Sequence, residues 1–270
     1  MTRKKVSIIG AGNMGGAIIK GLIDSGAYKA DDLAAADPRE ETRTQLEKLY
    51  PGITVEASNK EILFTDILIA AVKPQFCGKV LTEISPYLRH DTVLVSIAAG
   101  ITLGQIADWL DKPVKLIRAM PNTPLLAGEG MTGLCPGADV LDKDIENVKK
   151  IFNAVGETMI MAEHQMDAFT ALAGSSPAWV FMFIEALADG AVKEGIPRAP
   201  AYDAAAQAVL GAAKLMRESG MHPAELKDRV CSPGGTTIAG TAALEKAGFR
   251  AAVIQAVEDC TRRSRELGTQ

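Results

Sequence analysis

Through the first half of the chain, short apolar runs rich in β-branched side chains alternate with stretches whose apolar residues return every three or four positions. The runs predict strands at Val6–Ile9, Leu33–Ala36, Ile53–Val55, Ile67–Val72, Val93–Ile97 and Val114–Ile117, with weaker ones at Gly130–Leu134 and Glu157–Ile160. The stretches between them predict helices at Met14–Ser25, Glu40–Leu49, Gln75–Ile84 and Leu103–Leu110. Such alternation builds a mainly parallel, doubly wound α/β sheet, because each parallel crossover needs a connection long enough to return the chain to the same edge.

From Glu163 the pattern changes. Alanine-rich, helix-forming stretches take over, punctuated at Gly174-Ser175-Ser176-Pro177, Gly195-Ile196-Pro197, Gly220-Met221-His222-Pro223 and Ser232-Pro233-Gly234-Gly235. The expected organisation is an α/β domain over residues 1–162 and an all-helical domain over 163–270. Within the second, the stretch from Ala178 to Ile184 is apolar around the whole helix circumference, whereas an outer helix of a monomer shows one apolar stripe. Burial against a second subunit accounts for this; a core helix of a compact single-chain domain is the alternative.

Length and charge narrow the function. With 270 residues each half can bury a core of its own, and a net charge of -4 gives no electrostatic reason to seek nucleic acid or an anionic membrane. The apolar run behind Thr2-Arg3-Lys4-Lys5 is too brief for a signal-peptide core, and no later stretch reads as apolar for long enough to span a bilayer. Cys77, Cys135, Cys231 and Cys260 are scattered, with no CxxC pair and no histidine at metal-ligand spacing. Neither a disulfide framework nor a metal site is expected, and the thiols read as those of a cytoplasmic protein with a small-molecule partner.

Gly10-Ala11-Gly12-Asn13-Met14-Gly15 follows the first strand directly and opens a helix, the context in which G-x-G-x-x-G predicts a dinucleotide site. Gly10 permits the turn, Gly12 lets a pyrophosphate approach the backbone, Gly15 brings helix to strand, and the free amides of the helix start attract the phosphate charge. Asp37, at the end of the second strand, stands where an acid hydrogen-bonds the ribose of NAD and repels a 2′-phosphate. Arg39 offsets that by pairing with such a phosphate, so NADH and NADPH both remain open; Asp37-Pro38 as a turn or cap is the plainer reading. Val72-Lys73-Pro74 ends the fourth strand at the same ligand-binding edge. Further on, Ser232-Pro233-Gly234-Gly235-Thr236-Thr237 forms a glycine-rich turn into a helix whose unpaired amides suit a carboxylate, although a well-capped turn explains the same residues.

That last segment resembles the C-terminal signature of pyrroline-5-carboxylate reductases, and the resemblance extends over nearly the whole chain. It includes Ile8 to Gly15, Ala71 to Pro74, Ser96 to Gly100, Arg118 to Pro124 and Gly174 to Trp179. It implies a Rossmann-type domain followed by an all-α dimerisation domain whose helices interlock between subunits, and NADPH- or NADH-dependent reduction of 1-pyrroline-5-carboxylate to L-proline. It further implies that Ser232, Gly234, Gly235, Thr236 and Thr237 hold the substrate, with Thr237 as hydrogen-bond partner of the ring nitrogen. Gly10, Gly12, Asn13, Met14, Gly15, Asp37, Asn59, Val72, Lys73, Pro74, Ala98 and Ala99 would surround the cofactor. The chain departs from the common family pattern at Ser176 and Trp179, where relatives carry glycine and tyrosine, and at Asp37.

The chemistry agrees with these residues. A protonated imine already carries its activating proton, so hydride delivery needs positioning more than a strong side-chain acid. A related two-domain hydroxyacid dehydrogenase would need a lysine or histidine as base, and the helix from Ser175 to Leu187 has neither. Another cyclic-imine reductase shares the same contacts, and a nucleotide-sensing protein without turnover is the rival from a different class. His90, His164 and His222 read as surface or structural residues.

Overall fold

Eight strands form one sheet: β1 (Lys4–Ile9), β2 (Leu33–Ala36), β3 (Thr54–Glu56), β4 (Thr65–Ala70), β5 (Val93–Ser96), β6 (Lys115–Met120), β7 (Gly130–Pro136) and β8 (Gly156–Ile160). Their order is β3-β2-β1-β4-β5-β6-β7-β8, parallel throughout except for the antiparallel pair β6 and β7. The computed structural model describes residues 2–268. Every expected strand forms, with ends displaced by a few residues.

The apolar runs are continuous because the central strands are buried on both faces. On one face Val6, Ile8, Ala35, Ile69 and Val95 pack with Ile18 and Leu22 of α1 (Asn13–Asp24). On the other, Ile9, Ala34, Ala36, Leu68 and Leu94 pack with Cys77, Leu81 and Ile84 of α3 (Pro74–Ile84). The period-two alternation of side chains along each strand produces this division. Between these helices in sequence lies α2 (Glu40–Leu49), and α4 (Leu103–Asp108) follows, capped by Thr102, whose Oγ1 accepts from the Gln105 amide at 3.2 Å. One helix was not anticipated: α5 (Asp142–Asn153) buries Val148, Ile151 and Phe152, a helical spacing behind an acidic first turn that the sequence does carry.

Beyond β8 the described residues hold no strand, and the fold is helical. After a 3₁₀ turn come α6 (Met166–Phe169), a π-helical turn at Thr170–Ser175, α7 (Ser176–Lys193), α8 (Arg198–Ser219), α9 (Pro223–Val230), α10 (Thr236–Lys246) and α11 (Phe249–Gly268). The expected break at Gly174-Ser175-Ser176-Pro177 does not end the helix; the π turn absorbs it. Pro177 has no N–H to offer the Ala173 carbonyl four residues earlier, and Asn122 Nδ2 donates to that carbonyl instead, at 2.9 Å. The Asn122 Oδ1 accepts from the Met131 amide at 2.8 Å. As a result Glu163–Lys193 is one run long and apolar enough to cross a membrane by length and composition, which corrects the expectation that no stretch reaches that length.

Two compact units result: one runs to Ser175 and resumes at Cys260, and the other is Ser176–Asp259. The return of α11 to the first unit is fixed by Ser264 Oγ donating to Asp167 at 2.8 Å and by Gln105 Nε2 donating to the Gly268 carbonyl at 2.6 Å. In the second unit Phe183 and Phe249 meet with ring centroids 6.0 Å apart. Phe181 and Met182 of α7 are 65% and 67% exposed, so α7 is not the core helix of a closed single-chain domain.

Candidate active site

The site of the first unit is built at the carboxyl edge of the sheet. Ile9 lies opposite Ala36 on one side and Ala70 on the other, and Ala70 lies opposite Ser96. Three backbone bonds carry the register past the strand ends: Gly10 N to the Ala36 carbonyl at 2.8 Å, Ala71 N to that of Ile9 at 2.8 Å, and Ile97 N to that of Ala70 at 3.2 Å. Gly10, Asp37, Val72 and Ala98 therefore leave the sheet along one edge. Between β1 and β4 the strand order reverses direction, and such a switch point opens a crevice for ligands.

The three glycines of the turn do different work. Gly10 has φ of +89°, and a Cβ there would lie 2.6 Å from the Ala71 carbonyl oxygen. A Cβ on Gly15 would overlap the Gly10 carbonyl oxygen and stand 3.2 Å from the Ala71 Cβ, so Gly15 lets α1 close onto the sheet. Gly12 differs: a Cβ would meet only Arg39 Nη2, at 3.6 Å. Its bareness serves no packing within the protein and keeps the backbone open to an outside group. Gly12 is also the N-cap of α1 and supplies no side-chain cap, and the first-turn amides, including those of Asn13 and Met14, have no intrahelical acceptor. With the positive end of the helix dipole, this cradle fits the pyrophosphate of a dinucleotide.

Asp37 is 3% exposed and its carboxylate accepts four hydrogen bonds. Its Oδ2 accepts from the Ala11 amide at 3.0 Å and from Arg39 Nη2 at 3.2 Å; its Oδ1 accepts from the Arg39 amide and from Arg39 Nε, both at 3.0 Å. Burial pushes this carboxyl up, but the bonds from Arg39 and Ala11 outweigh it and hold the group below the ordinary carboxylate range. Arg43 of α2 braces the turn, its Nη1 donating to the carbonyls of Asp37 and Pro38 at 3.0 Å each. Sequence reasoning missed Arg43, whose one signal is its position a helical turn beyond Arg39. Gly12, Asn13, Lys20 and Arg39 line one cavity beside the glycine turn.

Lys73 is the exposed N-cap of α3 and Pro74 its first residue, where a missing N–H costs nothing. Ala98 is buried, its N–H directed at Ser96 Oγ 3.4 Å away, with half-buried Ala99 following. Asn59 begins a 3₁₀ turn after β3, two strands out from β1. In the second unit, Ser232 to Gly235 form a turn closed by the Gly235 amide donating to the Ser232 carbonyl at 3.0 Å, with Gly234 at φ of +68°. Gly235 is the N-cap of α10 without a side-chain cap, and exposed Thr236 and Thr237 form the helix's first turn.

His222 caps α9, its Nδ1 accepting from the Ala224 amide at 3.2 Å. Among the described residues no three His, Cys, Asp or Glu side chains gather as metal ligands would.

A parallel sheet with a glycine cradle at its switch point, joined to an all-helical region, defines a Rossmann-type NAD(P)-dependent oxidoreductase. Residues 163–267 match the family model described as pyrroline-5-carboxylate reductase dimerisation, and residues 5–100 match that of the coenzyme F420-dependent NADP oxidoreductases. The chain belongs to the pyrroline-5-carboxylate reductase family. It is 49% identical to the pyrroline-5-carboxylate reductase of Escherichia coli (strain K12), covering 98% of this chain and 98% of that protein. With that of Arabidopsis thaliana it shares 41% identity over 97% of this chain and 95% of the relative. The crystal structure of Plasmodium falciparum pyrroline carboxylate reductase with NADP bound superposes with a TM-score of 0.89 at 33% identity, covering 99% of each chain.

Proposed function

We propose that the chain reduces 1-pyrroline-5-carboxylate to L-proline, with a reduced nicotinamide dinucleotide seated on the glycine turn and the substrate on the Ser232–Thr237 loop. The observation that carries this reading is that loop: a glycine turn opening onto the uncapped start of α10 in a chain similar over its full length to pyrroline-5-carboxylate reductases.

The amides at the start of α1 hold the pyrophosphate, and Gly10 and Gly15 keep that helix end against the strand edge. Asn59, Val72, Lys73, Pro74, Ala98 and Ala99 border the rest of the dinucleotide. Bound there, the reduced nicotinamide supplies the hydride. Ser232, Gly234, Gly235 and Thr236 orient the substrate carboxylate at the start of α10, where the helix dipole favours negative charge. The Thr237 hydroxyl hydrogen-bonds the ring nitrogen and stabilises the amine as it forms. The division of labour follows the expected domains, 1–162 for the cofactor and 163–270 for substrate and self-association.

Four free thiols, two of them buried, support a cytoplasmic location. The apolar run through α7 is read as a face covered by a second copy of the chain rather than by lipid, which the family model for dimerisation supports. The test is absorbance of the reduced nicotinamide with purified protein and 1-pyrroline-5-carboxylate, with proline measured in parallel. Equal loss of dinucleotide and gain of proline is the expected result; tight dinucleotide binding without turnover would favour a sensor.

A further inference from the structure

We infer that Arg39, held in place by Asp37, selects NADPH over NADH by meeting the phosphate on the adenosine 2′-oxygen. The inference rests on the siting of the dinucleotide at the glycine turn.

In NAD-selective Rossmann folds an acid at the end of the second strand accepts the ribose hydroxyls. A carboxylate offers about four lone-pair positions. At Asp37 four donors already occupy them: the amides of Ala11 and Arg39, and Nε and Nη2 of the Arg39 side chain. The side chain is only 4% exposed, so solvent-side access for a ribose hydroxyl is closed as well.

The guanidinium, by contrast, presents itself. It grips Asp37 through its Nε and Nη2 edge, which by the planar geometry of the group turns Nη1 away from the carboxylate. The Arg39 side chain is 62% exposed, it lines the same cavity as Gly12 and Asn13, and its Nη2 stands 3.6 Å from where a Gly12 Cβ would be. A cation thus lies directly beside the backbone over which the dinucleotide runs. NADPH would leave every Asp37 bond intact, because the edge of the guanidinium that does not grip Asp37 is available to a phosphate. For Asp37 to receive the ribose of NADH, the arginine must first be displaced. Pairing also cancels the repulsion that a bare carboxylate would exert on the 2′-phosphate, and Arg43, bracing the Asp37 and Pro38 carbonyls, adds a second positive charge to the same turn. Asp37 is thereby a positioning residue, and Arg39 the group that touches the cofactor.

The test is equilibrium titration of the full chain with NADPH, NADH, and the fragments adenosine 2′,5′-bisphosphate and 5′-ADP, followed by protein and nucleotide fluorescence. The wild type should bind NADPH and the 2′-phosphorylated fragment about tenfold or more tighter than their counterparts, the range of one charge-assisted contact. Arg39→Gln should remove most of that ratio while leaving NADH affinity within about twofold. Asp37→Asn should lower the ratio through NADPH, whereas a purely structural role would weaken both dinucleotides alike. Arg39→Gln weakening both equally, or Asp37→Asn selectively costing NADH, would overturn the inference. Gly12→Asp separates the two readings: loss of both dinucleotides shows that the titrations report the glycine turn, and unchanged binding would overturn the siting itself.

Discussion

Gly15 packs so closely on Gly10 that a Cβ at residue 15 would overlap the Gly10 carbonyl oxygen, while a Cβ on Gly12, between them in the chain, would meet only Arg39 Nη2, in ordinary contact at 3.6 Å. The two positions should therefore fail differently. Gly15→Ala is expected to destabilise the fold by about 1–3 kcal/mol in urea unfolding, the usual cost of overpacking, and to weaken dinucleotide binding with it. Gly12→Ala should change stability by no more than about 1 kcal/mol, the scale of an N-cap change, yet still weaken dinucleotide binding.

Thr237→Ala should lower kcat by about tenfold to a hundredfold, the worth of a hydrogen bond to a charged nitrogen in the transition state. Dinucleotide affinity should stay nearly constant. Steady-state kinetics paired with fluorescence titration checks this, and an equal fall in both quantities would refute the assigned role.

Acid sensitivity should appear at the opposite edge of the sheet. The Arg3 guanidinium, donating to Asp91 at 2.7 Å, works against burial and with Arg89 at 3.1 Å to hold the Asp91 carboxyl down at about 2. A carboxyl depressed on folding contributes its stability in full above its unfolded value, about 3.9, and loses it as the pH falls through the folded value. Asp91→Asn should therefore melt below the wild type at pH 7, and the gap should close between about pH 4 and pH 2. A gap independent of pH would mean the pair contributes nothing through its charge.

Phe181→Glu and Met182→Glu place charges on the exposed apolar face of α7. In analytical ultracentrifugation the wild type should sediment as a dimer or larger, and the variants should shift towards the monomer. A wild type that stays monomeric at micromolar concentration would refute the role of this face.

The strands and the glycine turn were legible because their signals are local: a buried parallel strand reads as an apolar run, and Gly10 and Gly15 are demanded by contacts within a few residues or by the next strand. The side-chain chemistry around Asp37 was half legible, since Arg39 is two residues away, but occupancy of all four acceptor positions depends on how the Ala11 amide points, which no spacing reveals. The return of α11 to the first unit rests on partners far apart in sequence, such as Gln105 with Gly268. The helix at Asp142–Asn153 was legible and overlooked.

The bond from Asn122 to the Ala173 carbonyl makes Asn122 and Pro177 a genetic unit. The proline is tolerable because of the asparagine: Pro177 removes a donor from the helix, and Asn122 lends one from the end of a strand. Asn122→Ala should cost about 1–3 kcal/mol by leaving polar groups unpaired. Pro177→Ala, which gives the helix back its own donor, should act as a partial second-site suppressor of that loss, partial because the Met131 amide stays without its acceptor. Selection acting on either position would then register at the other, and a lineage could lose or gain this proline only through an intermediate that the asparagine shelters.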